Sequence, residues 1–159
     1  GLNQMPAQKL KQKLDDGNIK YISINHSPAY TARETAASTF VPRREFAKTI
    51  IVDLDGEKVM AVVSASRHVD IDALKSLAEA NMARLATEDE FRSSFPDCEV
   101  GAMPPFGSLY EMRVFVDEMV TEVDDLCFNA GSHEQILRMD CGDYLKLEQP
   151  VVGSIAVKE

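Results

Sequence analysis

Four short stretches of this 159-residue chain carry residue types that could do chemistry. The first is Lys48, followed by Thr49, inside the apolar run Phe46 to Leu54. Period-2 alternation places Phe46, Lys48, Ile50, Val52 and Leu54 on one face, and Ala47, Thr49, Ile51 and Asp53 on the other. An ammonium on an apolar face either snorkels to water or works in a pocket where an anion or dipole meets it. The second stretch is Gly101-Ala102-Met103-Pro104-Pro105-Phe106-Gly107. Proline fixes φ and gives up its N–H; glycine permits backbone shapes and close approaches that a side chain blocks. The loop is therefore stiff and bent. It either holds backbone amides against a ligand or is a rigid corner. The third is Asn129-Ala130-Gly131-Ser132-His133. Ser132 and Gln135 form an S-x-x-Q pattern that predicts a short helix after Gly131. Its N-terminus would offer free N–H groups to an anionic or carbonyl oxygen, with His133 in the first turn. A capped helix with an exposed histidine is the alternative. The fourth is His26-Ser27-Pro28-Ala29-Tyr30-Thr31. There His and Thr either bond a ligand or form the local turn and N-cap.

Other chemistries lack their residues. Cys98, Cys127 and Cys141 have no CxxC spacing, and this odd, scattered set argues for reduced thiols in a cytoplasmic protein. His26, His68 and His133 are scattered too, without HxH or HExxH, which argues against a zinc site. No Lys-Ser/Thr pair follows Gly107, so the loop is not a P-loop; GxGxxG and GxSxG are missing. The net charge of −9 is uneven: residues 1–80 carry 11 Lys/Arg against 10 Asp/Glu, residues 81–159 carry 6 against 16. The acidic half would repel a nucleic-acid backbone. A polyanion should approach the first half, where Arg33, Arg43, Arg44 and Lys48 are densest. No apolar run nears the ~18 residues of a membrane span, and the polar N-terminal residues have no signal-peptide core.

The elements that must position these residues read as one mixed α/β domain over residues 6–157, with 1–5 a tail. Lys9 to Asp16 reads as a helix with Leu10 and Leu14 on one face, and Tyr21 to Ile24 as a strand. Thr31 and Glu34 form a capping box opening a helix to about Ser38. Phe46 to Leu54 and Lys58 to Ala65 flank Asp55-Gly56, a hairpin signal, and the second strand is apolar enough for both faces to be buried. Asp70 caps a helix to about Ala80, and Thr87 with Glu90 opens another that Pro96 stops. Glu111 to Val116, Asp125 to Phe128 and Val151 to Val157 read as strands.

Taken in order, His-Ser-Pro-Ala-Tyr-Thr-Ala at 26–32, Ala47-Lys48-Thr49, Gly101 to Gly107 and Asn129 to His133 resemble the YbaK/EbsC family. That family includes freestanding prolyl-tRNA editing proteins and the editing insertion of bacterial prolyl-tRNA synthetases. The resemblance runs from about Pro6 to Met139. It implies a compact fold with a curved, mixed β-sheet flanked by helices, and an aminoacyl-tRNA deacylase that needs no cofactor and no metal. It implies catalytic roles for Lys48, Gly101 and His133. Substrate contacts are implied for His26, Tyr30, Thr31, Thr49, Ala102, Pro105, Phe106, Gly107, Gly131 and Ser132. The implied partners are the acceptor end of an aminoacyl-tRNA and a synthetase, with no membrane.

The residue types suit that reaction. An aminoacyl ester is already activated, so a positioned water and donors aimed at the developing oxyanion suffice. The amides around Gly101 and Ala102 are the candidate donors. Lys48, mostly protonated at neutral pH, suits the terminal nucleotide or the developing charge better than a general base. The expected activity is trans-editing of alanyl- or cysteinyl-tRNA of the proline type. The alternative is a non-catalytic module of the same fold that binds a tRNA end, nucleotide, amino acid or synthetase.

Overall fold

The computed structural model describes residues 8–25 and 42–158. The helix expected at Thr31 to Ser38 lies outside them. The first helix, Gln8–Asp16, buries Leu10 and Leu14, the pair its spacing marked. Strand β1 follows as Tyr21–Asn25.

The hairpin forms as its turn chemistry requires. Strands β2 (Ala47–Leu54) and β3 (Glu57–Ser64) pair antiparallel, closing from Leu54 to Glu57. Asp55 and Gly56 take φ of 51° and 91°, both positive as a two-residue hairpin turn of this hand demands. The Asp53 carboxylate accepts the Gly56 N–H at 2.8 Å and seals the turn. β3 is buried on both faces from Val59 on, because its two sides feed different cores. Met60 and Val62 join the main core, Ala61 and Val63 a second one.

Short strands β4 (Arg67–Val69) and β5 (Ala83–Leu85) flank a helix at Ile71–Leu77, which Asp70 caps by accepting the Ala73 N–H at 3.0 Å. Thr87 and Glu90 form a reciprocal capping box on the one-turn helix Glu88–Phe91. The remaining strands are β6 (Val114–Asp117), β7 (Asp125–Asn129), β8 (Gln135–Asp140), β9 (Val151–Gly153) and β10 (Ala156–Lys158), with a helix at Cys141–Glu148.

These strands form a five-stranded mixed sheet ordered β5-β2-β3-β6-β9, an antiparallel sheet β1-β8-β7 and the pair β10-β4. A parallel bridge from Phe46 to Cys127 joins the two larger sheets. The main core includes Leu10, Ile51, Met60, Phe106, Phe128, Leu137 and Tyr144. The second core lies between the five-stranded sheet and the Ile71–Leu77 helix, around Val52, Leu54, Val63, Leu74 and Ile155.

Three expectations need correction. No helix opens at Ser132: Gln135–Asp140 is a strand paired along β7 and β1. Leu137 and Met139 enter the main core while Ile136 packs with Phe46 and Cys127. That period-2 burial overrides the capping pattern. The final strand is broken, because Ile155 plugs the second core and gives its N–H to the buried Asp117 carboxylate at 2.9 Å. Strand β6 begins at Val114, later than expected, because Glu111 has a φ of 56° and sits in a turn.

Candidate active site

Strand β7 delivers the chain to a tight turn at 130–134, not to a helix. Gly131 takes a φ of 94°, a conformation costly to any residue with a Cβ. Ala130 N–H reaches the Gln135 carbonyl at 3.0 Å and Gln135 N–H the Ser132 carbonyl at 3.2 Å. Ser132 Oγ accepts the Glu134 N–H at 3.1 Å. The serine thus serves a hairpin turn, and the dipole of a helix contributes nothing at His133.

This turn is laced to the Gly101 loop. Glu99 N–H donates to the Gly131 carbonyl and Gly131 N–H to the Ala102 carbonyl, both at 2.8 Å. The Glu99 carboxylate closes the clasp, accepting Ser132 Oγ–H and His133 N–H, each at 3.2 Å. His133 Nε2 lies 2.9 Å from the Val100 carbonyl oxygen. A carbonyl oxygen only accepts, so Nε2 carries the hydrogen and Nδ1 is the ring nitrogen left for another group. The ring lies over Gly101: a Cβ there would sit 3.5 Å from His133 Cε1. Gly101 itself has a φ of 84°. Residues 99–102 and 131–133 therefore act as one unit.

Within the loop, Gly101 is exposed and everything from Ala102 to Gly107 is buried. Ala102 N–H is spent on the Glu99 carbonyl at 3.1 Å. Among the expected backbone donors, Gly101 is the one at the surface. Pro105 offers its carbonyl to Tyr144 O–H at 2.7 Å. The Phe106 ring packs 5.5 Å from Phe128 and 5.3 Å from Tyr144. Gly107 has no room for a Cβ, which would overlap the Met112 carbonyl. Pro105, Phe106 and Gly107 thus stand in the core and anchor the loop's far end.

Lys48 is half-buried on β2, opposite Val63 of β3, and so shares a face with the second core. Thr49 is buried at 6% exposure on the opposite face, opposite Val62. The two neighbours point to different sides of the sheet, as strand alternation predicts. From the parallel Phe46–Cys127 bridge both chains run the same way. Lys48 is two residues beyond Phe46 and Asn129 two beyond Cys127, so alternation puts both on the face of that bridge. Asn129 leads directly into the Gly131 turn. Arg43 and Arg44 are exposed just ahead of this strand. His26, Tyr30 and Thr31 lie outside the described residues.

Glu99 is the residue the sequence reading missed. Its carboxylate was one among many in an acidic half, and its partners lie more than thirty positions away. The thiols are poor nucleophiles. Burial above all pushes Cys98 and Cys127 up to about 12, and raises Cys141 as well. Among the described residues, no group of three His, Cys, Asp or Glu could hold a metal ion, and no helix is long and apolar enough to cross a membrane.

The fold is shared with solved structures. The hypothetical protein APE2540 superposes with a TM-score of 0.85 at 22% identity, covering 94% of this chain and 99% of that one. A proposed trans-editing enzyme for prolyl-tRNA synthetase superposes with a TM-score of 0.82 at 20% identity, covering 98% of both chains. In sequence, the Multifunctional Ser/Thr-tRNA deacylase ProXp-y of Escherichia coli K12 is 28% identical over 109 residues, 65% of this chain and 65% of that relative. The proline–tRNA ligase of Staphylococcus aureus strain Newman is 30% identical over 125 residues, 76% of this chain and 19% of the ligase. The chain thus spans less than two thirds of the curated relatives it matches. The family model described as the aminoacyl-tRNA editing domain matches residues 26–147, a span that holds Lys48, the Gly101 loop, Glu99 and the Gly131–His133 turn. On that match, this chain belongs to the aminoacyl-tRNA editing domain family.

Proposed function

We propose that this protein hydrolyses the ester between a wrong amino acid and the terminal ribose of a tRNA, with alanyl- or cysteinyl-tRNA of the proline type as the expected substrates. One observation carries the reading: the Glu99 clasp, which draws Gly101 and His133 from distant parts of the chain into one fixed surface within the family's matched span.

The chemistry asks for little more. A water oxygen attacks the ester carbonyl carbon, giving a tetrahedral oxyanion. The bond to the ribose oxygen then breaks, that oxygen takes a proton, and free amino acid and tRNA leave. A backbone donor fixed at the oxyanion is worth about 10²–10³ in rate. Gly101 is the candidate, since its backbone is exposed and its φ is held by the clasp. His133 offers Nδ1 to the ester or the terminal nucleotide, its orientation set by the bond from Nε2. The Lys48 ammonium meets the terminal phosphate or the developing charge. The substrate's own ribose hydroxyl helps activate the water. Arg43 and Arg44 extend the basic ground for the acceptor end, while the acidic second half turns the rest of the tRNA away. That small footprint also suits delivery by a synthetase.

The test is loss of ester from a panel of charged tRNAs. It should include alanyl-, cysteinyl-, seryl- and threonyl-tRNA, because the Escherichia coli relative carries a Ser/Thr name. Faster ester loss than the buffer control on at least one mischarged species is expected. No loss across the panel, with tRNA still bound, would leave a binding module in place of an enzyme.

A further inference from the structure

Asn129 ends β7 with a buried, unsatisfied acceptor. The residue is 7% exposed, and its Oδ1 is buried with no hydrogen-bond partner among the described residues. Such atoms are rare in native proteins and call for a reason. Its direction follows from the sheet. Leu126 and Phe128 enter the main core, whereas Cys127 points the other way, toward Phe46 and Ile136. Asn129 is two residues past Cys127, and its partner across the ladder is Ile136. It therefore shares the Phe46 and Cys127 face, which by the parallel bridge is also the Lys48 face. Two residues later comes Gly131, held to the Gly101 loop. The free oxygen thus belongs to a residue on the Lys48 face, two positions before the turn that carries Gly131 and His133. Among the described residues the other such atom is Gln135 Oε1, on the Leu137 and Met139 face of β8, opposite to that of Asn129.

We infer that Asn129 Oδ1 is a substrate-positioning acceptor, taking a hydrogen bond from an N–H or O–H donor of the aminoacylated ribose. This rests on the proposed function, because that reading brings an aminoacyl ester here. Two groups of such an ester fit: the free ribose hydroxyl beside the ester, and the α-ammonium of the amino acid. An amide oxygen suits either. The bond orients the ester against Gly101 and His133 without Asn129 touching the reacting carbon.

The test measures binding with stable probes, so that it does not depend on turnover. The probes are 3′-alanylamido-3′-deoxyadenosine, its 2′-deoxy form, and the propionylamido form without the α-amine. Wild type is compared with Asn129→Leu, which keeps the volume but not the acceptor, with Asn129→Ala in case the first folds poorly, and with Asn129→Asp, which keeps an acceptor. We expect Asn129→Leu and Asn129→Ala to weaken binding of the full probe about tenfold at unchanged melting temperature, and Asn129→Asp to retain more affinity. The weakening should vanish for whichever probe lacks the donor. Loss of the effect in the 2′-deoxy probe assigns the hydroxyl; loss in the propionyl probe assigns the ammonium. Equal affinity of wild type and Asn129→Leu for all three probes overturns the inference, as does failure of wild type to bind any of them. If the donor-dependent loss appears while the charged-tRNA panel shows no hydrolysis, the inference stands and the enzymatic reading fails.

Discussion

Replacing Glu99 by Ala should separate activity from stability. The change deletes the carboxylate that accepts Ser132 Oγ–H and His133 N–H, each at 3.2 Å. It spares the backbone bonds from Glu99 N–H to the Gly131 carbonyl and from Gly131 N–H to the Ala102 carbonyl. Hydrogen bonds to charged groups contribute about 1.5–3 kcal/mol each at best. Both of these are long and Glu99 is exposed, so the pair together is worth roughly 1–2 kcal/mol. For a chain of this size that lowers Tm by only about 2–8 °C. The effect on chemistry should be larger. Without the carboxylate the His133 backbone loses its anchor, and the ring is left held over Gly101 by the Nε2 bond to the Val100 carbonyl alone. A displacement of about 1 Å in a positioned group costs on the order of 10²-fold. Single-turnover deacylation should therefore fall by about 10- to 100-fold under conditions where both proteins are fully folded. Glu99→Gln keeps one acceptor but turns an NH2 toward the other donor, and should fall between the two. Wild-type rates in the folded Ala variant would refute the clasp as the organiser of the site. So would a rate loss that only tracks the unfolded fraction.

Lys48→Ala should abolish turnover with little change in Tm; a variant that deacylates at the wild-type rate removes Lys48 from the site. Gly107→Ala should cost about 3 kcal/mol or more in denaturant unfolding, because the added Cβ meets the Met112 carbonyl. An unchanged midpoint would show that the loop can shift to admit it. Cys98 and Cys127 are raised by burial from 9.0 to about 12, so the folded protein holds these protons where the unfolded chain has lost them. Their contribution to stability is complete below pH 9 and is lost as pH rises from about 9 toward 12. Melting curves across that range should show Tm falling, and less steeply in Cys98→Ala/Cys127→Ala than in wild type. Native-state alkylation of Cys127 at pH 8 should be slow and should speed up on unfolding.

Local signals read well where the chain's own chemistry closed the structure. Asp55-Gly56 set the hairpin, Asp70 and Thr87 set their caps, and Leu10 with Leu14 set the buried stripe of the first helix. They failed where packing competed. Ser132 and Gln135 have the spacing of a capping box, yet β8 is worth more to the fold as a strand that buries Leu137 and Met139 on one side and Ile136 on the other. The helix at Cys141–Glu148 went unread because its buried side chains are Cys141 and Tyr144, too sparse for a helical stripe. Strands of three residues such as β4 and β5 hold few side chains, and their partners alone define them.

The sequence by itself determined the kind of protein. Four motifs in order, His-Ser-Pro-Ala-Tyr-Thr-Ala at 26–32, Ala47-Lys48-Thr49, Gly101 to Gly107 and Asn129 to His133, carried the resemblance that named the family. Only the tertiary structure decided how they work together. It showed that Gly101 is the exposed point of an otherwise buried loop, and that Glu99 ties the loop to the turn. The physical reason is range. A glycine's torsion or a strand's alternation is local, but a hydrogen bond between Glu99 and His133 joins residues 34 positions apart, and no spacing in the chain records which carboxylate will reach which turn.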